Sequence, residues 1–197
     1  MQTILVDVDD VLLDWLGGFK KFLDEKGVAT NGDRPTKWDL RHWVESHNVV
    51  GLVEEFNHSN HFEFLELMDH QAVIAMDDLF HKGFQIYAIT SCTDLPSAID
   101  KRETNLENHF GGVFEDVVCL PLGGDKLKTL KQFPRGSFWI EDKYENALAG
   151  IHAGHRAILL NRSHNQQGDK SDGIARCDDW SQVHELILNE VKQEMVQ

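Results

Sequence analysis

The chain of 197 residues can hold one substantial domain, or one domain with a small insert, and its 41% hydrophobic and 26% charged residues are ordinary for a globular protein. Its 19 basic residues against 33 acidic ones give a net charge of −14, which is repelled by nucleic-acid backbones and anionic membranes; neither is an expected partner. Cys92, Cys119 and Cys177 are too few and too scattered for a disulfide framework or a zinc site, and no apolar run reaches membrane-spanning length, so the expected address is cytoplasmic.

In chain order, residues 3–6 read as a buried strand, short and dense in Ile, Leu and Val. From Asp14 to about Ala75 the periodicity is helical and no convincing strand occurs; a loop-like Asn-Gly-Asp-Arg-Pro-Thr-Lys stretch interrupts it at 31–37. Strands and helices then alternate. Helix 72–82 precedes strand 85–89; helix 97–110 follows a start signal of Thr93, Asp94 and Pro96; strand 116–120, helix 126–133, strand 137–140, helix 144–153, strand 156–160 and helix 180–194 complete the chain. This alternation predicts an α/β fold, a three-layer Rossmann-like parallel sheet with helices on both faces. Residues 1–13 and 76–197 form the expected core domain. Residues 14–75 form a helical cap inserted after the first strand, over the sheet's carboxyl edge.

The chemistry-bearing residues fall at strand ends, where open α/β sheets bind ligands. The first strand ends in Asp7, Asp9 and Asp10; clustered carboxylates repel one another unless a cation sits among them. A calcium loop is excluded, because Val11 stands where it needs an oxygen ligand and no glycine follows. Thr90 and Ser91 end the second strand with hydroxyls suited to phosphate oxygens, although such residues also serve simply as turn or capping groups. Gly123-Gly124-Asp125-Lys126 frees the backbone and offers Lys126 as a fixed cation, with Lys128 and Lys131 as rivals. The strand at 137–140 ends in Glu141 and Asp142, with Asn146 placed to reach back to them. Acidic ends on two separate strands are what a Mg²⁺ site needs, since this ion takes few carboxylates and leaves room for water and phosphate.

This ordered set resembles the haloacid-dehalogenase-type (HAD) phosphatase superfamily over roughly residues 3–161. The resemblance implies a two-step phosphoryl transfer. Asp7 is the expected nucleophile and Asp9 the general acid/base; Asp7, the Asp9 backbone carbonyl and Asp142 hold Mg²⁺, and Thr90, Ser91 and Lys126 bind the phosphate. Retention of Asp9 argues against the dehalogenase branch, which lacks it. Two positions depart from the pattern: Asp10 stands where many members have glycine, and Glu141 where many have Asp or Gly. Glu141 is therefore expected to act behind the metal, through water, with Asn146 supporting it.

Within the superfamily the chain looks most like the 5′(3′)-deoxyribonucleotidases, on Phe62-x-Phe64, Leu65 and Leu67, Phe110-Gly111, Asp125-Lys126, Asn161-Arg162-x-His164-Asn165 and Trp180. The expected substrate is a (deoxy)nucleoside monophosphate. A sugar phosphate or other small metabolite, or a catalytically quiet binding or regulatory role, are the alternatives, and the oligomeric state is open. The insert holds eight of the sixteen Phe and Trp residues: Trp15, Phe19, Phe22, Trp38, Trp43, Phe56, Phe62 and Phe64. About two-thirds of these are expected in the core of the cap and the rest against a base. The histidines of this region, including His58 and His61, lack a zinc pattern and are expected on its solvated surface.

Overall fold

The computed structural model of the chain describes residues 2–93, 95–168 and 171–194; Asp94, within the start signal of the second core helix, lies outside them. Six strands form one parallel sheet: β1 (Thr3–Val6), β2 (Gln85–Ser91), β3 (Asp116–Leu120), β4 (Phe138–Glu141), β5 (Arg156–Leu160) and β6 (Ala175–Cys177). The sequence shows all but β6, which has three residues, only one of them buried, and so carries no apolar run. β2 extends past residue 89, and Thr90 and Ser91 pair with Cys119 and Leu120. Likewise Glu141 pairs with Leu159 as the last residue of β4. These three residues sit on strands, not in the turns after them.

The strand order β3-β2-β1-β4-β5-β6 fixes where a ligand can enter. The chain moves outward from β1 to β3, then crosses back to lay β4 on the other side of β1. Helices leave these two neighbours toward opposite faces, so a crevice opens at their carboxyl ends.

Side chains alternate along each strand between two layers. Ile4, Val6, Ile86, Phe138 and Ile140 face α4 (Gln71–His81), α5 (Pro96–Phe110) and α8 (Trp180–Glu194), where Met76, Leu106 and Ile187 are buried. Leu5, Ile89, Trp139 and Leu159 face α6 (Lys126–Leu130) and α7 (Tyr144–Ala153), meeting Leu130 and Ala147. Helix α7 approaches so closely that a Cβ on Gly150 would lie 2.3 Å from Trp139 Cδ1. The Trp139 indole N–H donates to the Asn146 carbonyl at 2.9 Å, which fixes the start of that helix against β4.

Between β1 and α4 lie α1 (Trp15–Glu25), α2 (Val49–His58) and α3 (Asn60–Glu63), with only isolated bridges such as Leu13 to Leu67 in strand-like pairing. Asp14 and Asn48 cap α1 and α2 by accepting from the Gly17 and Gly51 N–H groups. Six of the eight aromatics are buried, around Phe56, whose ring lies 5.2 Å from Trp15, 5.3 Å from Phe19 and 5.5 Å from Phe22. Burying each such ring is worth roughly 2–3 kcal/mol, which holds these short helices to one another and to the sheet. Trp38 and Phe64 stay exposed. Among the region's histidines, His42, His47, His58 and His70 are exposed, and His61 pairs with Glu25.

Candidate active site

After β1 the chain turns sharply. The Asp7 N–H still donates to the Ile140 carbonyl of β4 at 2.9 Å, then the Val8 carbonyl accepts from both Leu12 and Leu13. Asp10 is held in this turn at φ 57°, the only non-glycine residue with positive φ among those described. That left-handed conformation costs an ordinary residue about 1 kcal/mol, which explains the glycine of the superfamily pattern. Here polar contacts offset it: the Asp10 carbonyl accepts from Arg162 Nε and Nη2 at 3.0 and 2.9 Å, and its carboxylate accepts from the Leu16 N–H. Burial first, then the charge of Asp142, pushes the Asp10 carboxyl up to about 8.

β4 brings Glu141 and Asp142 alongside, so that Asp7, Glu141 and Asp142 each place a carboxylate oxygen within 4.8 Å of the others. These three are not equivalent. Glu141 accepts from Lys126 Nζ at 2.8 Å, from Asn146 Nδ2 at 2.6 Å, and from the backbone N–H groups of Asp142 and Lys143 at 2.6 Å each. Its oxygens are saturated, so it orients Lys126 and has no lone pair left to offer a metal, directly or through water. The carboxylate oxygens of Asp142, by contrast, are buried and accept no hydrogen bond. His164 Nε2 lies 3.0 Å from one of them but directs its bond to the Asp142 carbonyl, at 3.2 Å, which Asn165 Nδ2 also reaches at 2.6 Å.

Burial raises the Asp7 carboxyl well above the usual carboxylate range; Lys126, 2.8 Å away, opposes this, and Glu141 and Asp142 add to it. Burial and then the charge of Glu141 raise Asp142 likewise. Lys126 is buried too, and its two carboxylate partners overcome the burial penalty and hold it firmly protonated. One lysine cannot satisfy Asp7, Glu141 and Asp142 together. The unbonded oxygens of Asp142 facing Asp7 are the donor set a small divalent cation fits.

A cavity of about 320 Å³ opens over these groups. Asp7, Asp9, Ser91, Lys126 and Asn146 line it from the sheet side, and Trp15, Trp38, Leu40 and Val53 from the insert. Gly123, at φ 74°, and Gly124 also line it; a Cβ on Gly124 would come within 2.9 Å of the Pro121 carbonyl oxygen. The glycines thus let backbone approach a bound group at the start of α6, whose Asp125 cap sets Lys126 facing inward. Lys128 and Lys131 are exposed and take no part.

Thr90 does not belong to this lining. Strand alternation sends the Ser91 hydroxyl, which has no hydrogen-bond partner, toward the cavity and the fully buried Thr90 to the opposite face. Arg102 was not foreseen: it is fully buried on α5 and pairs with Asp9. Its signal was a cation on the apolar stripe that Ala98, Asn105 and Leu106 mark on that helix. Arg34, which pairs with Asp10 and Asp14 from the 31–37 loop, carried no such signal.

Among solved structures, the chain is similar to the HAD-hydrolase YfnB from Bacillus subtilis bound to magnesium, with 13% identity, a TM-score of 0.62, and 94% of this chain and 97% of that one covered. CbbY from Rhodobacter sphaeroides in complex with phosphate is similar at 16% identity and a TM-score of 0.59, over 93% and 96% of the two chains. So is D,D-heptose 1,7-bisphosphate phosphatase from Burkholderia thailandensis, at 12% identity and a TM-score of 0.54, over 95% and 99%. These identities speak for the fold alone. A search of curated protein sequences gives no match. Among the described residues, no helix is long and apolar enough to cross a membrane. The family model for "5' nucleotidase, deoxy (Pyrimidine), cytosolic type C protein" matches residues 1–194, nearly the whole chain including the insert. The chain therefore belongs to that nucleotidase family and is a phosphatase of the HAD superfamily.

Proposed function

We propose that the chain is a Mg²⁺-dependent phosphomonoester hydrolase that works through an aspartyl-phosphate at Asp7 and takes (deoxy)nucleoside monophosphates. Asp7, the Asp9 carbonyl and Asp142 would hold the ion, which when bound neutralises the charge of nucleophile and phosphate together. In the first step an Asp7 oxygen bonds to phosphorus as the ester P–O bond breaks, and Asp9 gives its proton to the leaving oxygen. In the second, Asp9 takes a proton from water, whose oxygen attacks phosphorus and releases Asp7. Lys126, held in place by Glu141 and Asn146, stabilises the equatorial phosphate oxygens together with the Ser91 hydroxyl and the backbone at Gly123 and Gly124.

The observation that carries this reading is the buried Asp7–Asp142 pair, with the unbonded oxygens of Asp142 beside an Asp7 that Lys126 holds, at the switch point. In this reading residues 14–75 are the cap. The family's description and the two tryptophans, Trp15 and Trp38, that the cap adds to the cavity favour a nucleobase over a sugar alone. Purified protein with Mg²⁺ is expected to hydrolyse p-nitrophenyl phosphate and dUMP, and Asp7→Asn to lose both activities. Equal phosphate release by the two proteins would refute the assignment.

A further inference from the structure

The Asp9 carboxylate is gripped from the core helix α5. One guanidinium nitrogen of Arg102, Nη2, donates to Asp9 Oδ1, and among the described residues no other side chain is bonded to Asp9. Arg102 is 0% exposed on α5, whereas the Asp9 side chain keeps 23% of its surface open toward the cavity it lines. The Phe62 ring of α3 lies over the guanidinium at 4.3 Å, and the Cys92 sulfur sits beside it. Nε and Nη1 of Arg102 find no oxygen acceptor.

A buried arginine with two nitrogens that meet no oxygen is poor construction for stability, since desolvating the guanidinium outweighs what a single ion pair returns. It is good construction for aiming one carboxylate. Arginine has five donors, no acceptor and no accessible neutral form. The oxygen it holds is therefore always an acceptor, and a proton on Asp9 has only the other oxygen to occupy.

We infer that Arg102 is a positioning residue that fixes Asp9 Oδ1 as the anchored oxygen and leaves Oδ2 as the single atom through which Asp9, which lines the cavity, delivers and collects its proton. The inference rests on the proposed role of Asp9 and deepens it. Phe62 ties this anchor to the insert, so the orientation of the acid/base group depends on the docked position of α3.

The test compares substrates with different leaving groups. p-Nitrophenolate departs without protonation, whereas the alkoxide of a nucleoside needs it, so loss of aim harms the second far more than the first. Arg102→Met, of similar length and without charge, is expected to lower kcat on dUMP by about 100-fold. On p-nitrophenyl phosphate the loss is expected to stay within about threefold, with KM for both substrates unchanged. Arg102→Lys, which keeps a buried cation, is expected to recover most of the loss on dUMP. In an Asp9→Ala background, Arg102→Met is expected to change neither rate further. If Arg102→Met does not fold, Arg102→Gln goes through the same assays with the same substrate split expected. Equal losses on both substrates, no loss on dUMP, or a further loss in the Asp9→Ala background would overturn the inference. Failure of the wild-type protein to release phosphate from either substrate would instead refute the hydrolase reading beneath it.

Discussion

The carboxyl edge of the sheet and the helical insert meet in one cavity, yet they are built by different rules. At the edge the carboxylates stand on or just beyond buried strands and Lys126 at the start of α6, and backbone and side-chain bonds hold them: Glu141 alone accepts four. The insert packs its rings around Phe56 and is tied to the core by bonds such as those of Asn57 to the Cys92 carbonyl and Ser163 to the Pro35 carbonyl, and Trp38 and Leu40 line the cavity from it. Trp38 meets the core at the Lys143 ammonium, 4.6 Å from its ring, and at the His164 ring. In the proposed reading, the groups whose geometry must be accurate sit at the sheet edge, and the surface that would select among substrates sits on the insert.

That contrast makes predictions of graded size. Asp7→Asn removes the nucleophile and should lower turnover of every phosphomonoester by at least about 10⁴-fold, as measured by phosphate release. Asp142→Asn should leave the fold intact and weaken Mg²⁺ binding by about 10–100-fold, read by calorimetric titration; a chelator should abolish wild-type activity reversibly. Since burial and neighbouring charge raise both Asp7 and Asp142, protons hold these ligands at low pH and must leave before the ion can bind. Apparent Mg²⁺ affinity should therefore rise as pH rises. Glu141→Gln frees Lys126 from one of its two carboxylate partners and should cost about 10-fold in kcat, equally on all substrates.

On the insert side, Trp38→Ala should lower kcat/KM for dUMP by about 5- to 10-fold, roughly the worth of one stacked base, and leave p-nitrophenyl phosphate untouched. A uniform loss on both would erase the division between the two regions. Gly150→Ala, behind the edge, should destabilise the protein by about 1–3 kcal/mol through the clash with Trp139, although alanine favours a helix. Thermal unfolding would show it, with little change in kcat.

The same difference explains what was legible in the sequence. Asp7 and Asp142 could be found because an apolar run of four residues announces a buried strand and its end announces the crevice, whereas Lys126 was marked by the Gly-Gly-Asp that opens its helix. Thr90 and Ser91 were not separated: strand alternation puts neighbours on opposite faces, but which face meets the cavity shows only once the strand is seated in the sheet. Glu141 does not keep the water link to a metal that the sequence suggested: its four hydrogen bonds, one of them from Lys126, became visible only in three dimensions. Arg34 was missed since a long-range ion pair leaves no local pattern, and Arg102 left only a cation on the buried stripe of its helix, which does not name its partner. In the insert, helical periodicity gave the class of structure, while the spread of exposed Trp38 against buried Trp43 depends on how the loop before the Leu40–His42 turn docks.

The central claim is that phosphate passes through Asp7, and acid-quench mapping of the intermediate tests it most directly. Protein mixed with dUMP labelled in its phosphate and Mg²⁺, then quenched within a single turnover, should carry the label on the peptide containing Asp7, and Asp7→Asn should carry none. Phosphate release at full rate with no label on that peptide, or with the label on another, would contradict the account.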